Sequence, residues 1–530
     1  MDSEQKSGES TERTRGTALL IAFYNKKALG VRYLQTALNR AGYEVVLVFY
    51  KDYNSMSPRE TTDAELSLLL TQIREVKPVL IGLSVMSSMY LDTVHRVMHA
   101  VTEAFDIPIV CGGAYAMMFP EHFLERGSDF VVRGDGERAV CRLADAICSG
   151  TGYEDIPSLC YRSGGNNVIN GIGDICEDID VYGIPTVNSQ RAVFIENDTI
   201  TSGDPQLKTL SYEVIASRGC PFTCSYCCSI NLRRLFPEGV KYVRTRSVKS
   251  VIDELVVAKS ECKNLIFIHF YDEIFPNLPG WVDEFVKEYK KRIGLPFTIW
   301  SHPKMVDETV LKKLVSAGLD EVIMGIQSGS ERIRRDVFHR YETQDEIIKA
   351  TDIIKRSGVF WASYDFMVRH PFETFDDLME TYKLVKKLRA PFELQLHGLN
   401  FLPGTDIVQL ALDEGLFSSA EMDDIMYAPM GEQFNAYWQR EGSSESRSLY
   451  RLIYCLQFSV LIRLAEHFER DILKYEKQID RCYFLALRLA KLRYLYKKAH
   501  IVLKSRAGVK EQRKKIPTLQ TNYRHHKSHG

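Results

Sequence analysis

Short apolar runs alternate with amphipathic segments twice along this chain of 530 residues, first from Thr17 to about Gly150 and again from Tyr212 to about Leu402. In the first block the runs TALLIAFY, YEVVLVFY, PVLIGLSV, IPIVCGG and DFVVRG predict about five strands, separated by segments of helical period such as VRYLQTALNRAG. Strands that alternate with helices form a parallel sheet covered on both faces. Residues 17–150 are therefore predicted to be a doubly wound, Rossmann-like α/β domain.

Six further βα units follow in the second block. Their strands are predicted at YEVIASRG, NLIFIHFYDE, PFTIWSH, EVIMGIQSG, VFWASYDFMV and ELQLHGLNFLPG, and several of the helical segments between them end in Gly or Ser. Six units predict a partial (βα)6 barrel of the TIM type over residues 209–405, with its chemistry at the carboxyl ends of the strands. Residues 151–208, rich in Gly, Asn, Asp and Pro, are interpreted as a linker with a small hairpin or two.

The ends of the chain have a different character. Residues 406–505 are predicted to form a helical region, with long helices after about Ser443. The polar segment 1–16 and the basic tail 506–530 are both expected to be disordered. The first segment lacks the apolar core of a secretory signal, and the run LIYCLQFSVLI is far shorter than the roughly 20 residues that cross a bilayer. No membrane span is expected.

Overall charge and cysteine content narrow the function classes. The 68 basic and 69 acidic residues give a net charge of -1, which excludes a global field that attracts nucleic acid or an anionic membrane, so any such binding must be local. Twelve cysteines are too dilute for a disulfide scaffold, and most of them should be free thiols. A cytoplasmic protein is expected.

Three cysteines stand together in the loop after the first barrel strand, SRGCPFTCSYCCSI. Cys220, Cys224 and Cys227 have the spacing C-x3-C-x2-C. Three thiolates in one loop bind three irons of a cubane cluster and leave the fourth iron open to a small chelating molecule. A zinc site would need a fourth ligand, whereas Cys228 is adjacent to Cys227 and the loop has no His. Zinc and a chance spacing remain the alternatives.

This triplet, with Tyr226 before the last cysteine, resembles the signature of the radical S-adenosylmethionine (SAM) superfamily, and the likeness extends over roughly Ser211 to Leu402. The resemblance implies a 4Fe-4S cluster on the three cysteines, with SAM chelated to the unique iron. It also implies one-electron cleavage of SAM to a 5′-deoxyadenosyl radical that abstracts hydrogen, and an electron donor such as flavodoxin or ferredoxin.

Further segments resemble pieces that recur in that superfamily. FYDEIF ends the second barrel strand with Asp272, and GIQSGS ends the fourth with Gln327 and Ser328. The resemblance makes these three residues candidate contacts of SAM, although ordinary turn chemistry explains them as well.

One segment departs from the family pattern. Relatives commonly read G-x-P-G-E-T after the fifth strand, where this chain reads RHPFET. Losing both glycines changes the backbone freedom of that loop. Arg369 and His370 are hypothesised to contact the substrate or SAM, and a surface turn is the alternative.

The first block resembles the cobalamin-binding domain that precedes the barrel in one large branch of radical SAM enzymes. The segments GLSVMSS, CGGAYAMMFPE and DFVVRGDGERAV each lie at the carboxyl end of a predicted strand, where such sheets bind ligands. Small residues let the backbone approach a bulky ligand, and a carboxylate in the first turn of a helix also has a purely structural explanation. The candidate cobalamin contacts are Ser84, Ser87, Gly112, Gly113, Gly136 and Glu137.

Lys27 occupies a position of special interest. A different class of cobalamin protein has D-x-H-x-x-G after the first strand, with the His on cobalt, and the aligned stretch here is NKKALG. Because a lysine ammonium has no lone pair to donate, cobalamin is expected to bind without a protein imidazole. A doubly wound domain that has lost cobalamin is the alternative.

Together the two resemblances imply a cobalamin-dependent radical SAM methyltransferase. It would act on an unactivated carbon or phosphorus of a small molecule held between the domains, by way of the 5′-deoxyadenosyl radical and methylcobalamin. Relatives also catalyse radical cyclisation, ring contraction or oxidation without net methyl transfer, and that alternative stays open. A non-catalytic partner-binding protein would have no reason to keep an open-site cluster, and no recognisable RNA-binding module supports action on nucleic acid.

Overall fold

The computed structural model describes residues 14–54, 57–173, 175–433 and 443–515, with side chains up to Arg506. In these ranges the chain forms a nine-stranded sheet, a six-stranded sheet and a set of C-terminal helices. Segments 1–13 and 516–530, which belong to the two ends expected to be disordered, lie outside the described residues.

The centre of the first sheet consists of five parallel strands, as the sequence predicts. They are β1 Thr17–Phe23, β2 Glu44–Tyr50, β3 Leu80–Ser84, β4 Ile109–Gly112 and β5 Phe130–Val132. β1 pairs with both β2 and β3, so the chain reverses direction in the sheet there, and β4 and β5 extend the β3 side. A parallel sheet with such a reversal has a crevice beyond the carboxyl ends of its strands.

Two hairpins extend this sheet. They are formed by β6 Leu159–Ser163 with β7 Asn166–Ile169 and by β8 Ala192–Glu196 with β9 Thr199–Ser202. β6 pairs with β5 and β8 pairs with β2, giving the order β7-β6-β5-β4-β3-β1-β2-β8-β9. The predicted hairpins exist, but the interpretation of 151–208 as a linker is wrong, because the hairpins pair with the edge strands of the central sheet.

Helices cover both faces of the first sheet. On one face Leu19 and Ile21 of β1 belong to the core formed with α2 and α3, and on the other face Ala18 and Leu20 pack in the core with α1 and α6. This alternation follows from the two-residue period of a strand. The helices are α1 Leu29–Arg40, α2 Asp63–Val76, α3 Leu91–Ala104, α4 Ala114–Met118, α5 Pro120–Leu124 and α6 Gly136–Ser149.

The second sheet contains the six predicted barrel strands, all parallel and in chain order. A short antiparallel ribbon flanks the cysteine loop and pairs β11 with β12. In chain order the strands are β10 Ser211–Val214, β11 Ser217–Arg218, β12 Arg244–Thr245, β13 Phe267–Phe270, β14 Phe297–Ser301, β15 Leu319–Gln327, β16 Trp361–Met367 and β17 Glu393–His397. The partial-barrel prediction is confirmed.

Helices pack on the outside of this sheet, and the aromatic rings of Phe270, Phe285 and Phe297 meet edge to face in the shared core. Such contacts add to the free energy gained from apolar burial. The helices are α7 Cys228–Arg234, α8 Val248–Glu261, α9 Pro279–Arg292, α10 Glu308–Ala317, α11 Gln344–Arg356 and α12 Phe375–Lys387.

The C-terminal region is helical as predicted. It consists of α13 Asp406–Asp413, α14 Ser419–Met426, α15 Ser444–Cys455, α16 Ser459–Phe468 and α17 Glu476–Lys515. Helix α17 continues ten residues past 505, so the expectation of a disordered tail from 506 is wrong up to Lys515. At the other end Arg15 binds Asp145 at 2.7 Å, so the expected disorder does not extend through residue 16. None of the helices that the structure describes is both long enough and apolar enough for a membrane span.

Candidate active site

Cys220, Cys224 and Cys227 lie in the loop between β11 and α7, at the carboxyl end of the first barrel strand. Gly219 directly precedes them with φ +88°, and a Cβ there would stand 2.6 Å from the carbonyl oxygen of Tyr242. Only glycine satisfies both conditions, because an L side chain is strained at this φ and would collide with the backbone. The sequence thus bends sharply at the entrance of the loop.

Hydrogen bonds from Ser225 fix the middle of the loop. Its amide donates to the carbonyl oxygen of Phe338 at 3.2 Å and its hydroxyl to that of Val337 at 2.5 Å. Its own carbonyl accepts from the amide of Ile407 at 3.0 Å. The loop is therefore held both by the segment after β15 and by the first C-terminal helix, which keeps the cysteines in a defined arrangement.

The three thiols are free and half-buried. Burial raises the pKa of Cys220 to about 12 and also raises the pKa of Cys224, although the nearby Arg340 guanidinium lowers it. Within the described residues no three His, Cys, Asp or Glu side chains form a site for one metal ion. In an iron-sulfur cluster each of these thiolates would bind a different iron and lose its proton on binding.

Arg340 connects this loop to the barrel. Its Nη1 lies 3.9 Å from Sγ of Cys224, and its Nη2 donates to the carbonyl oxygen of Gly325 in β15 at 2.6 Å. Its Nε donates to Glu342 at 2.7 Å, and Glu342 also faces His302 at 3.4 Å. No local sequence pattern indicates this network, because its members come from three separate loops.

Asp272 follows β13 and is buried beside Ala216 and Ser217, which stand just before the cysteine loop. Its carboxylate accepts hydrogen bonds from the amide of Ala216 at 2.9 Å and from the hydroxyl of Ser217 at 2.6 Å, and burial raises its pKa to about 7. In this arrangement Asp272 holds the end of β10 in place, and its carboxylate is directed at the protein backbone.

Gln327 and Ser328 end β15 beside Gly325. Gln327 has φ +71°, an uncommon conformation for a residue with a side chain, at a register shift between β15 and β16. The hydroxyl of Ser328 is buried and accepts from the amide of Ser330 at 3.1 Å. Both residues thus lie at the same strand end that Arg340 links to Cys224.

Arg369 and His370 face the C-terminal helices and the loop after β15. The Arg369 guanidinium stacks on the ring of Tyr450 in α15 at 4.4 Å, and its amide donates to Glu373 at 2.5 Å. His370 is buried, with its ring 5.1 Å from that of Phe338. The hypothesis of a surface turn does not fit His370.

A cavity of about 320 Å³ lies at the carboxyl ends of the first sheet. Apolar side chains from β1, β3, β4 and α1 form most of its wall, and barrel residues close one side. Ser87 is not among the residues that line the cavity, and its hydroxyl accepts from the amide of Met89 at the start of a short 3-10 turn. The predicted cobalamin residues in the wall are Ser84, Gly112, Gly113, Gly136 and Glu137.

Two adjacent glycines in this wall are not equivalent. A Cβ on Gly112 would meet no atom within 4 Å, so the space next to it is open to a ligand. Gly113 has φ +98°, and a Cβ there would stand 2.6 Å from the carbonyl oxygen of Val85. Gly113 is therefore required by the protein's own packing, whereas Gly112 leaves room for a bound molecule.

Lys27, at the position of the cobalt-ligating His in another protein class, turns away from the cavity. Its Nζ lies 2.8 Å from Glu213 and 3.1 Å from the hydroxyl of Ser211, both in β10. The described residues that line the cavity include no histidine. The wall thus offers no imidazole to a metal.

Arg218 joins the two sheets next to the cavity. Its guanidinium binds Asp135 at 2.8 Å and Glu137 at 2.5 Å, and it stacks on the ring of Tyr33 at 4.9 Å. Glu137, predicted as a cobalamin contact, is thus the partner of a barrel arginine 81 residues later. Since Arg218 and Leu232 also line the cavity, its barrel side is formed by residues on both sides of the cysteine loop.

Comparisons with known proteins match both halves of the chain. Residues 22–144 match the B12 binding domain and residues 214–385 the Radical SAM superfamily. An uncharacterized methyltransferase of Pyrococcus horikoshii is 26% identical over 349 residues, 65% of this chain and 72% of that protein. The anaerobic magnesium-protoporphyrin IX monomethyl ester cyclase of Rubrivivax gelatinosus is 25% identical over 371 residues, 67% of this chain and 61% of the cyclase.

A solved structure has the same fold. The cobalamin-dependent S-adenosylmethionine radical enzyme OxsB, with aqua-cobalamin bound, superposes with a TM-score of 0.61 and 14% identity over 94% of this chain and 84% of that one. The two family matches fall on the blocks predicted as cobalamin-binding and radical SAM domains. They confirm both domains and, with them, the predicted cofactors: a 4Fe-4S cluster, SAM and cobalamin.

Proposed function

Because the chain is a radical SAM enzyme with an N-terminal B12 binding domain, we propose that it transfers a methyl group to an unactivated carbon or phosphorus of a small-molecule substrate. The observation that carries this proposal is the shared wall between the two sites. The cavity of the first domain is lined on its barrel side by Arg218 and Leu232, which flank the cysteine loop. A substrate at this boundary would be near both cofactors.

Cys220, Cys224 and Cys227 would hold the cluster, and Gln327 and Ser328 would contact SAM. The support for the second assignment is Arg340, which lies beside Cys224 and binds the backbone of Gly325 at the same strand end. Asp272 would act on SAM only indirectly, by fixing the backbone before the loop. When bound, the cluster and SAM supply a hydrogen-abstracting radical, and cobalamin supplies a methyl carrier.

Ser84, Gly112, Gly113 and Gly136 would form the surface against cobalamin. The open space beside Gly112 and the apolar wall support this role, because a bulky ligand needs close backbone approach and exclusion of water. The described residues that line the cavity include no histidine, so cobalamin would bind there without a protein imidazole, and Lys27 is held by Glu213. Glu137 would act through Arg218, by holding the two domains together.

A reduced flavodoxin or ferredoxin would donate the electron. We place the enzyme in the cytoplasm, where thiols are kept reduced and an oxygen-sensitive cluster is protected. The free cysteines in the described part of the chain support this location.

A second function is radical cyclisation or oxidation without net methyl transfer. The similarity to the anaerobic cyclase of Rubrivivax gelatinosus favours it, since the identity is close to that of the methyltransferase relative. Both functions need the same cofactors, so the cofactor sites do not distinguish them.

Transfer of an isotope-labelled methyl group from SAM distinguishes methyl transfer from cyclisation or oxidation. Reconstituted enzyme, a reductant and a small-molecule extract would be incubated with methyl-labelled SAM, with the triple Cys→Ala variant as the control. Label in a small-molecule product that the control does not form supports methyl transfer. Product formation without label supports the second function and contradicts the first.

A further inference from the structure

Between Arg493 and Lys504 the C-terminal helix α17 turns basic side chains toward the barrel. Its inward side chains are cations that bind acids at the amino end of β15. Lys497 lies 2.5 Å from Glu321, and Lys504 lies 2.6 Å from Asp320. A helix on a protein surface ordinarily turns its apolar side to the core and its charges to water. Here the apolar side faces outward.

Exposed apolar side chains lie along the outward face of α17, and we call them the outer stripe: Phe484, Leu485, Leu492, Leu495 and Leu503. Phe484, Leu492 and Leu503 are each more than 60% exposed. From Leu485 the successive members are seven, three and eight residues apart, and Phe484 is eight residues before Leu492, so these side chains lie along one face of the helix. At 1.5 Å per residue the stripe is about 30 Å long. An exposed apolar band of this length indicates a docking surface.

Cations border the outer stripe. Arg481, Arg488, Lys491 and Lys498 are exposed beside it, and the sequence from Arg481 to Lys510 contains no Asp or Glu. The chain as a whole has a net charge of -1, so this positive character is local. A partner that binds the outer stripe must therefore offer both negative charge and an apolar phase.

We propose that the outer stripe rests on an anionic lipid surface, with α17 lying in the plane of the interface. The cations meet lipid phosphates and carboxylates, and the leucines reach the boundary of the acyl chains. A nucleic acid would pair with the cations but leave the leucines in water. A second copy of this chain would cover the leucines but bring like charges together.

If α17 lies on the lipid surface, the orientation of the active site relative to that surface follows. The inward face of α17 contacts Asp320 and Glu321 at the amino end of β15, whereas the cysteine loop lies at the opposite, carboxyl end of the barrel strands. The barrel would stand with its amino end on the lipid surface. The cavity between the domains would then face away from it.

The test uses the full-length, cluster-reconstituted protein and sedimentation with vesicles. Mixed phosphatidylcholine and phosphatidylserine vesicles should carry the protein down at low salt, and pure phosphatidylcholine vesicles or high salt should do so far less. The double variant Leu492→Gln/Leu495→Gln should lose at least about tenfold in partitioning, because two apolar side chains no longer enter the lipid. Far-UV circular dichroism and cluster absorbance check that the variant is folded.

A matched control replaces two barrel leucines of similar exposure, Leu210→Gln/Leu278→Gln, and should partition like the wild type. A charge variant, Arg488→Gln/Lys491→Gln, should weaken binding to mixed vesicles only. Failure of the wild type to sediment with mixed vesicles overturns the proposal, and so does a stripe variant that partitions unchanged. Binding of transfer RNA, or a concentration-dependent dimer, without vesicle binding would assign the stripe to that partner instead.

Discussion

Gly112 and Gly113 stand side by side at the end of β4, yet one faces open space and the other faces the backbone of Val85. If the open space receives cobalamin, Gly112→Val should weaken cobalamin binding by about tenfold or more and leave the melting temperature unchanged. Titration of the reconstituted protein by cobalamin absorbance measures this. Unaltered affinity in a folded Gly112→Val protein would remove Gly112 from the site.

Gly113→Ala is the matched comparison. An alanine there is strained by the positive φ and by the 2.6 Å approach to Val85, which should lower the free energy of unfolding by about 1 to 3 kcal/mol. Chemical denaturation measures the change. A stable Gly113→Ala protein would show that the local backbone relaxes more easily than its packing indicates.

Asp365 in β16 makes stability depend on pH. Its Oδ1 has no hydrogen-bond partner among the described residues, and burial, with Glu393 and Glu321 nearby, raises its pKa from 3.8 to about 7. The native state therefore binds a proton that the unfolded state releases between these values, and stability is lost as the pH rises through about 7. Melting temperatures of wild type and Asp365→Asn should diverge in favour of the variant from pH about 4 to about 7. A constant difference would contradict this.

Candidate residues that stand close together in the sequence could be identified from it, whereas residues whose partners are far away in the sequence could not. Cys220, Cys224 and Cys227 lie within eight positions, so their spacing and its resemblance to the radical SAM signature could be read from the sequence. Glu137 was predicted to contact cobalamin, but its carboxylate is held by Arg218, which only the folded chain brings near. Arg340 was missed for the same reason, since 116 residues separate it from Cys224.

Where helix α17 crosses the barrel, its lysines form ion pairs with buried carboxylates of β15. The Nζ of Lys497 lies 2.5 Å from Oε1 of Glu321 and 3.9 Å from Oε2 of Glu393. Lys497→Ala should lower the free energy of unfolding by about 3 kcal/mol, because the buried Glu321 carboxylate loses its cation and keeps only the hydroxyls of Thr298 and Ser363 as donors. The exposed neighbour Lys498→Ala should change it by less than about 0.5 kcal/mol. Equal effects of the two substitutions in denaturant titrations would contradict this role.

The strands and helices of both α/β units could be predicted from the pattern of apolar residues, because each buried strand is a short apolar run between amphipathic segments. The hairpins over 151–208 were assigned to a linker, since their short strands show little alternation and gain their order from pairing with β5 and β2. The extension of α17 to Lys515 was missed because its basic residues are also typical of a solvated tail.

Ion pairs of Arg218 join the two domains. The Arg218 guanidinium binds Asp135 and Glu137 and stacks on the ring of Tyr33. Arg218→Ala would leave two buried carboxylates with fewer partners and loosen the boundary where the cavity lies. We expect about tenfold weaker cobalamin binding and faster protease cleavage between the sheets. Arg15→Ala, which breaks the half-exposed pair with Asp145, is the control and should change neither.

The order of the two domains was predictable from sequence, but the way they share one cavity was not. Shared lining by Arg218 and Leu232 arises from the packing of the cysteine loop and α7 against the first sheet. No periodicity along the chain encodes which loops of two separate sheets will meet.

Reductive cleavage of SAM tests whether Cys220, Cys224 and Cys227 hold a cluster with one open iron. The protein would be purified without oxygen, supplied with iron and sulfide, and given a strong reductant with SAM. Wild type should form 5′-deoxyadenosine, and the triple Cys→Ala variant, with its fold checked by circular dichroism, should form none. A wild type that assembles no cluster, or a triple variant that still forms 5′-deoxyadenosine, would contradict the assignment.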